Sequence, residues 1–197
     1  MTRASEIEFP ATVHSARFDG SLMMPGYHLL VWRGGRARSA ALLDAEVSDR
    51  SVLAALSRIA RPGPSLPMDA WKRRHDSENP APDARAEGPP IQLLLRIPGR
   101  SALIPIGAVL DDPAARGIDF RFDGNEENIP KWGSGCIVCL YSCPGGKVGN
   151  ARYTERDYAR SVTRYRTRPG TLPPDGTRIG VVLRVGMPES SPRTVRP

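Results

Sequence analysis

Prolines and glycines interrupt this chain so often that they constrain its fold more than any other feature. The 197 residues include 20 prolines and 19 glycines, and both counts are above the usual frequency in globular proteins. Proline fixes φ and lacks a backbone N–H, while glycine tolerates the left-handed conformations that tight turns require. The sequence therefore predicts many turns and loops that join short strands.

Apolar segments bounded by turn residues predict two hairpins. Residues 27–33 form a strand, and a second extended segment over 37–47 follows it after a glycine pair. Residues 91–97 and 102–110 are separated by a proline–glycine turn in the same way. Further strands are expected at 6–14, 120–122 and 179–185.

Two helices are predicted from capping residues and apolar spacing. Ser48 is a suitable N-cap, and apolar residues follow it at helical spacing as far as the breaker at Pro62. Thr154 and Asp157 resemble a capping box, which predicts a second helix that ends at Arg168. The rest of the periodic pattern is typical of strands.

Residues 62–90 are expected to form a long proline-rich surface loop anchored by Trp71, because they show almost no periodic apolar pattern.

The predicted strands, helices and loop together indicate an α+β fold. We expect one strand-rich domain of antiparallel hairpins with two helices over residues 6–186, with the loop as an insertion. Residues 187–197 are expected to be a flexible tail.

Charge and hydropathy narrow the classes of partner and compartment. The formal net charge of +7 favours a protein partner with an acidic surface, and the even spread of the arginines disfavours a nucleic-acid partner. No apolar run of about 18 residues is present, so we expect no membrane span. As written, the chain is expected in the cytoplasm, or in the periplasm or outside the cell if it is a mature form that has lost its leader.

All three cysteines lie close together, at Cys136, Cys139 and Cys143, in a C-x2-C-x3-C pattern. Two thiolates spaced C-x2-C can bind one metal ion when the turn between them directs both sulfurs inward. In a straight strand, Cys136 and Cys139 would face opposite sides, whereas Cys139 and Cys143 would share a side. A three-cysteine site therefore predicts a bend within this segment.

The identity of the bound group stays open between an iron–sulfur cluster and zinc. The bacterial iron–sulfur ligand run has four cysteines, so one ligand is missing here. Zn²⁺ could take a histidine as its fourth partner, His14, His28 or His75, and we name His28 as the candidate. Two alternatives need no metal: a disulfide that leaves one thiol over, or three inert cysteines in an apolar core.

Motifs for other chemistry are incomplete in this sequence. Gly146 and Lys147 suggest a phosphate-binding loop, but Tyr141 stands where the first glycine should be and Val148 where a hydroxyl should bind Mg²⁺. No nucleophile elbow, zinc-protease motif or paired carboxylate is present. These motifs therefore assign no catalytic residue, and whether the protein is an enzyme stays open at this point.

Several short segments resemble the bacterial YdjY-type domain family over residues 6 to 185. They are Ile7–Val13, Tyr27–Trp32 with Gly34-Gly35, the helix after Val47-Ser48-Asp49, and Phe120–Gly124. The cysteine segment resembles the version found in a subset of that family labelled ferredoxin-like, which implies a cluster or metal. The resemblance also implies an exported or lipid-anchored accessory protein without enzymatic activity.

These observations lead to three hypotheses of function. The first is an accessory protein that binds a metal ion or iron–sulfur centre through Cys136, Cys139 and Cys143, for structure or electron transfer. The second is an interaction subunit of a larger assembly, which docks through its basic surface and the 62–90 loop while its cysteines are inert or disulfide-bonded. The third is a thiol–disulfide protein in which Cys143 is exposed.

Overall fold

The computed structural model describes residues 5–80 and 82–186, and strands dominate these ranges. The strands are β1 Ser5–Val13, β2 His28–Trp32, β3 Ala41–Ala45, β4 Pro90–Arg96, β5 Ile104–Pro105, β6 Leu110–Asp111, β7 Phe120–Phe122, β8 Cys136–Cys139, β9 Val148–Asn150, β10 Arg166–Thr167 and β11 Arg178–Val185. The α-helices are α1 Ser15–Asp19, α2 Asp49–Ser57, α3 Met68–Lys72, α4 Ile129–Trp132 and α5 Glu155–Ala159. Short 3-10 helices span Arg36–Ala40, Ile106–Ala108 and Glu126–Asn128.

Eight strands close into a barrel. Their order is β11, β1, β3, β2, β8, β9, β7 and β4, and β4 then pairs with β11 to complete the ring. The prediction of an α+β domain built from antiparallel hairpins is therefore wrong, although the chain is rich in strands as expected. The closing pair joins Ile91 to Val185, residues far apart in sequence, and local patterns do not report such a pairing. Closure gives each strand of the ring a neighbour on both sides.

The hairpin predicted over residues 27–47 is also wrong, because β2 and β3 run parallel. The 3-10 helix between them carries the chain back, so that His28 pairs with Ala41 and Trp32 with Ala45. Gly35 begins this return, and its backbone lies so close to that of Gly135 that a side chain would not fit. The second predicted hairpin is present, as the antiparallel pair of β4 and the two-residue β5.

The two predicted helices exist, but the second is shorter than expected. The Ser48 side chain caps α2, which buries Val52, Leu53 and Leu56. The capping box of Thr154 and Asp157 is present at the start of α5, which nevertheless ends at Ala159. The chain then leaves the helix and forms β10, which pairs with β6. Within the described ranges, no helix has the length and apolar character needed to cross a bilayer.

The described parts of the proline-rich segment, residues 62–80 and 82–90, contact the chain on both sides of β8. The N–H of Leu66 donates to Asn125 Oδ1 at 2.7 Å, and the N–H of Ala86 donates to Ser142 Oγ at 2.9 Å. Between these two attachments, the ring of Trp71 contacts that of Trp132, with centroids 5.1 Å apart. The segment is thus tied down near both ends and carries α3. The predicted flexible tail, residues 187–197, lies outside the described residues.

Candidate metal and thiol site

The cysteine segment lies in the interior: every residue from 135 to 150 is buried. Cys136 and Cys139 are the first and last residues of β8, and their sulfurs form a disulfide with the Cα atoms 6.8 Å apart. The pairing of β8 with β2 shifts register on both sides of Leu30. Such an irregularity breaks the strict alternation of a strand, so the two sulfurs can meet although a straight strand would separate them.

His28 lies beside these two cysteines. Its Cα is the register partner of Cys139, and its Nδ1 atom is 3.6 Å from Cys136 Sγ. One donor atom from each of the three residues falls within 4.8 Å of the other two, and all three residues are buried. Burial lowers the pKa of His28 to about 4, so its imidazole is neutral at pH 7 and has a nitrogen lone pair for a metal. His28, Cys136 and Cys139 are hereafter called the HCC group.

Cys143 does not belong to this group. It is free and buried, and its Sγ accepts a hydrogen bond from the N–H of Gly145 at 3.3 Å. Its thiol faces Tyr27 and Glu155, and burial raises its pKa to about 12, so it is a neutral thiol at pH 7. The structure thus brings together two of the three predicted cysteine ligands and the predicted histidine. A metal-binding role for Cys143 stays a prediction.

A buried carboxyl, that of Glu155, is linked to the HCC group through Tyr27. The hydroxyl of Tyr27 donates to Glu155 Oε1, and the Tyr27 ring is 4.8 Å from the His28 ring. Glu155 Oε2 has no hydrogen-bond partner among the described residues. Burial raises the pKa of Glu155 to about 8, so this carboxyl is largely protonated at pH 7 and adds little negative charge beside the thiols.

The glycine-rich loop, residues 143–147, is held by side chains that bind its carbonyl groups. Asn125 Nδ2 donates to the carbonyls of Cys143 and Gly146, at 3.1 and 2.7 Å. Asn128 Nδ2 donates to the carbonyl of Pro144 at 2.9 Å. Gly146 packs tightly against the disulfide, since a Cβ there would lie 3.1 Å from Cys139 Sγ. The loop is therefore a fixed wall of the site rather than a mobile turn.

Lys147 is the buried cation of this region. Its ammonium forms an ion pair with Asp49 at 3.1 Å and donates to the carbonyls of Gly145 and Cys136, at 3.1 and 3.3 Å. Burial lowers the pKa of Lys147, and the nearby Asp49 carboxylate opposes that shift. Because this ammonium neutralises Asp49 and binds the protein's own carbonyls, it is not arranged to hold a phosphate. The rejection of a phosphate-binding loop agrees with this geometry.

Sequence reasoning missed most of the polar groups around the site. Asn125 and Asn128 flank two glutamates and resemble an exposed acidic loop, yet both asparagines are buried. Lys147 stands in a glycine run that is typical of a surface turn. Glu155 follows a capping threonine, where an acidic residue is expected to be exposed. Only the three-dimensional packing reveals these roles, because no local pattern distinguishes them from surface residues.

The other two histidines lie away from the HCC group. His14 Nε2 is 3.2 Å from Asp44 Oδ2, in a cluster with Arg17 and Arg38. His75 is exposed within the proline-rich segment. Of the three histidines considered as a fourth ligand, His28 is the one next to the cysteines.

Comparison with known proteins agrees with the resemblance seen in the sequence. The sequence model of the YdjY domain matches residues 2–184. A relative in Escherichia coli strain K12, described as "Uncharacterized protein YdjY", is 25% identical over 160 residues, which cover 80% of this chain and 67% of that protein. No solved structure matches this chain significantly. Because the family match covers nearly the whole length, this chain belongs to the YdjY domain family.

Proposed function

We propose that this chain is a non-enzymatic accessory protein whose HCC group binds one thiophilic metal ion, such as Zn²⁺, when both cysteines are reduced. The observation that carries the proposal is the convergence of His28, Cys136 and Cys139, with their donor atoms within 4.8 Å of one another in the buried interior. Two thiolates and one neutral imidazole are the donor types that zinc prefers.

The distances suit a tetrahedral ion. Zinc bonds of about 2.3 Å to sulfur and 2.0–2.1 Å to nitrogen place a sulfur and a nitrogen ligand about 3.6 Å apart, and two sulfurs about 3.8 Å apart. Cys136 Sγ and His28 Nδ1 are already 3.6 Å apart. Once the disulfide is reduced, the two sulfurs need only move apart to about 3.8 Å to complete the three zinc ligands. A fourth position would be open to a water molecule or another small ligand.

Metal binding and disulfide formation exclude each other at this site, because zinc binds thiolates. A dithiol reductant would transfer two electrons and two protons to the disulfide, leave two thiols and become a disulfide itself. Zn²⁺ would then displace the thiol protons as it bound. The site would thus hold metal only in the reduced state.

An iron–sulfur cluster receives less support than a single ion. A cluster held by all three cysteines would require Cys143 to turn away from Tyr27 and Glu155, and its thiol pKa of about 12 opposes ionisation where it lies. The HCC group offers only two sulfurs and one imidazole. A mononuclear ion uses the donors as they are.

The disulfide favours a second candidate, in which the cysteines stay bonded and the chain acts as an interaction subunit of a larger assembly. Its net charge of +7 would suit a protein partner with an acidic surface. A disulfide also supports an oxidising compartment, such as the periplasm or the cell exterior, over the cytoplasm. Under this candidate the cysteines add stability only.

Zinc stoichiometry separates the two candidates. The protein is reduced with a phosphine without oxygen, dialysed against zinc, and analysed for metal and protein content. We expect about one zinc per chain, falling below about 0.2 in Cys136→Ser and Cys139→Ser, because zinc needs the thiolates. Cys143→Ser is the matched control and should keep its zinc.

Two outcomes would overturn the metal proposal. One is reduced protein that stays folded and holds less than about 0.2 zinc per chain. The other is loss of zinc in Cys143→Ser to the same extent as in Cys136→Ser. The first result, together with a fold that survives the replacement of all three cysteines at lower stability, would favour the interaction subunit.

A further inference from the structure

A large groove opens on the side of the barrel away from the proposed metal ligands. Its volume is about 1010 Å³, at the upper end of the range for small-molecule sites. The groove forms because β7 and β5 pair with different parts of the same edge of β4. Ile91 pairs with β7 and Leu94 with β5, and Leu93 lies between the two pairings. We call this cavity the β4 groove.

The lining of the β4 groove is both apolar and polar. Its apolar side chains include Leu103 and Ile118, which are partly exposed, and Ile91, Leu93 and Phe120, which are each at most 5% exposed. Residues 90–94 of β4 run along one wall, and four steps of about 3.4 Å give a length of about 14 Å. A wall of this length suits an elongated ligand that has both an apolar and a polar part.

The charged residues of the groove leave two guanidinium groups unpaired. Arg121 is paired with Asp119 at 2.8 Å, and Arg184 with Glu6 at 2.8 Å. By contrast, the side chains of Arg152 and Arg168 have no hydrogen-bond or ion-pair partner among residues 5–80 and 82–186. Both are exposed at the border of the groove.

The remaining carboxylate of the groove, Asp112, is committed to the protein's own donors. It accepts hydrogen bonds from the hydroxyl of Tyr153 at 2.7 Å, the hydroxyl of Thr163 at 2.8 Å and the N–H of Gly117 at 2.8 Å. Because each acid that lines the groove has a partner, the unpaired charge of the groove is positive. A ligand that brings an anionic group would supply the missing partner.

We infer that the β4 groove binds an elongated apolar anion, of the chemical class of a free fatty-acid carboxylate. The hydrocarbon lies against the β4 wall, and the carboxylate pairs with Arg152 or Arg168. Apolar walls supply affinity through burial, and a guanidinium supplies orientation through charge-assisted hydrogen bonds. This inference is independent of the HCC group, since it uses none of its residues.

Dodecanoate is a suitable probe, used as monomers and titrated calorimetrically into the oxidised, metal-free protein. We expect one site per chain. In the double variant Arg152→Ala with Arg168→Ala, binding should weaken by about tenfold or more, the effect of losing a hydrogen bond to a charged group. The double variant Arg50→Ala with Arg160→Ala removes the same charge from exposed positions outside the groove, and should bind as the parent does.

Two further ligands test which part of the probe is recognised. Acetate, which lacks the chain, should not bind measurably, and dodecanol, which lacks the charge, should bind about tenfold more weakly than dodecanoate. No saturable binding of dodecanoate would overturn the inference, as would equal weakening in both double variants or equal affinity for dodecanol. Binding to phosphatidylglycerol vesicles without binding of monomeric dodecanoate would also overturn it and would assign the arginines to a membrane surface.

Discussion

The buried carboxyl of Glu155 makes a prediction about stability and pH. Its Oε1 atom accepts a hydrogen bond from Tyr27, its Oε2 atom lacks a partner among the described residues, and Cys143 lies beside it. Burial raises its pKa from the ordinary value of 4.5 to about 8, although the charge of Arg74 acts in the opposite direction. The folded protein therefore holds a proton that the unfolded chain releases.

The sign and size of the effect follow from proton linkage. Below pH 4.5 both states are protonated, so Glu155 costs no stability. As the pH rises towards 8, the unfolded state binds fewer protons than the folded state, and the free energy of unfolding falls by about 1.4 kcal/mol per pH unit. The loss amounts to about 5 kcal/mol by pH 8. Above that pH, Glu155 causes no further change in the free energy of unfolding.

Glu155→Gln removes the titration while it keeps the shape and an acceptor for Tyr27. The free energy of unfolding, measured with urea between pH 4 and 9, should rise in the variant relative to the parent by about 5 kcal/mol between pH 4.5 and 8. Other titrating groups are common to both proteins and cancel in the difference. The exposed Glu127→Gln is the matched control for the loss of one carboxyl, and its effect on stability should be far smaller than that of Glu155→Gln. A flat difference for Glu155→Gln would refute a raised pKa.

Two further predictions concern the neighbouring groups. Lys147→Met leaves the buried Asp49 carboxylate without its cation, and urea unfolding should show a loss of stability of about 3–5 kcal/mol. The exposed Lys131→Met is the control and should change stability by less than about 0.5 kcal/mol. A small loss for Lys147→Met would mean that Asp49 is not desolvated. Thiol titration of the air-purified protein in denaturant should give one free thiol per chain before reduction, from Cys143, and three after it. Three thiols before reduction would contradict the Cys136–Cys139 bond.

Local sequence patterns predicted the elements better than their arrangement. Strands at 27–33, 91–97 and 179–185 follow from apolar runs and turn residues, and α2 follows from the Ser48 cap. The same apolar run suits a parallel or an antiparallel neighbour, so the sequence could not predict that β2 and β3 run parallel. Closure between β4 and β11 depends on residues about 90 positions apart, which no local pattern connects.

For the candidate site too, the sequence indicated the residues but not their arrangement in space. Clustering of the cysteines directed attention to the segment that contains Cys136 and Cys139, and histidine chemistry suggested His28. The sequence did not reveal the irregular pairing with β2 that lets Cys136 and Cys139 meet, because register shifts depend on the partner strand. The sequence also did not show that Cys143 lies apart from Cys136 and Cys139. Its thiol faces Tyr27 and Glu155, which come from distant parts of the chain.

X-ray absorption at the zinc edge, measured on the reduced and zinc-loaded protein, would identify the ligands of the proposed zinc site. We expect two sulfur ligands at about 2.3 Å and one imidazole nitrogen at 2.0–2.1 Å. Three sulfurs and no imidazole would rule out binding by the HCC group, because Cys143 would then have replaced His28. A zinc ion with no sulfur ligand would rule it out as well.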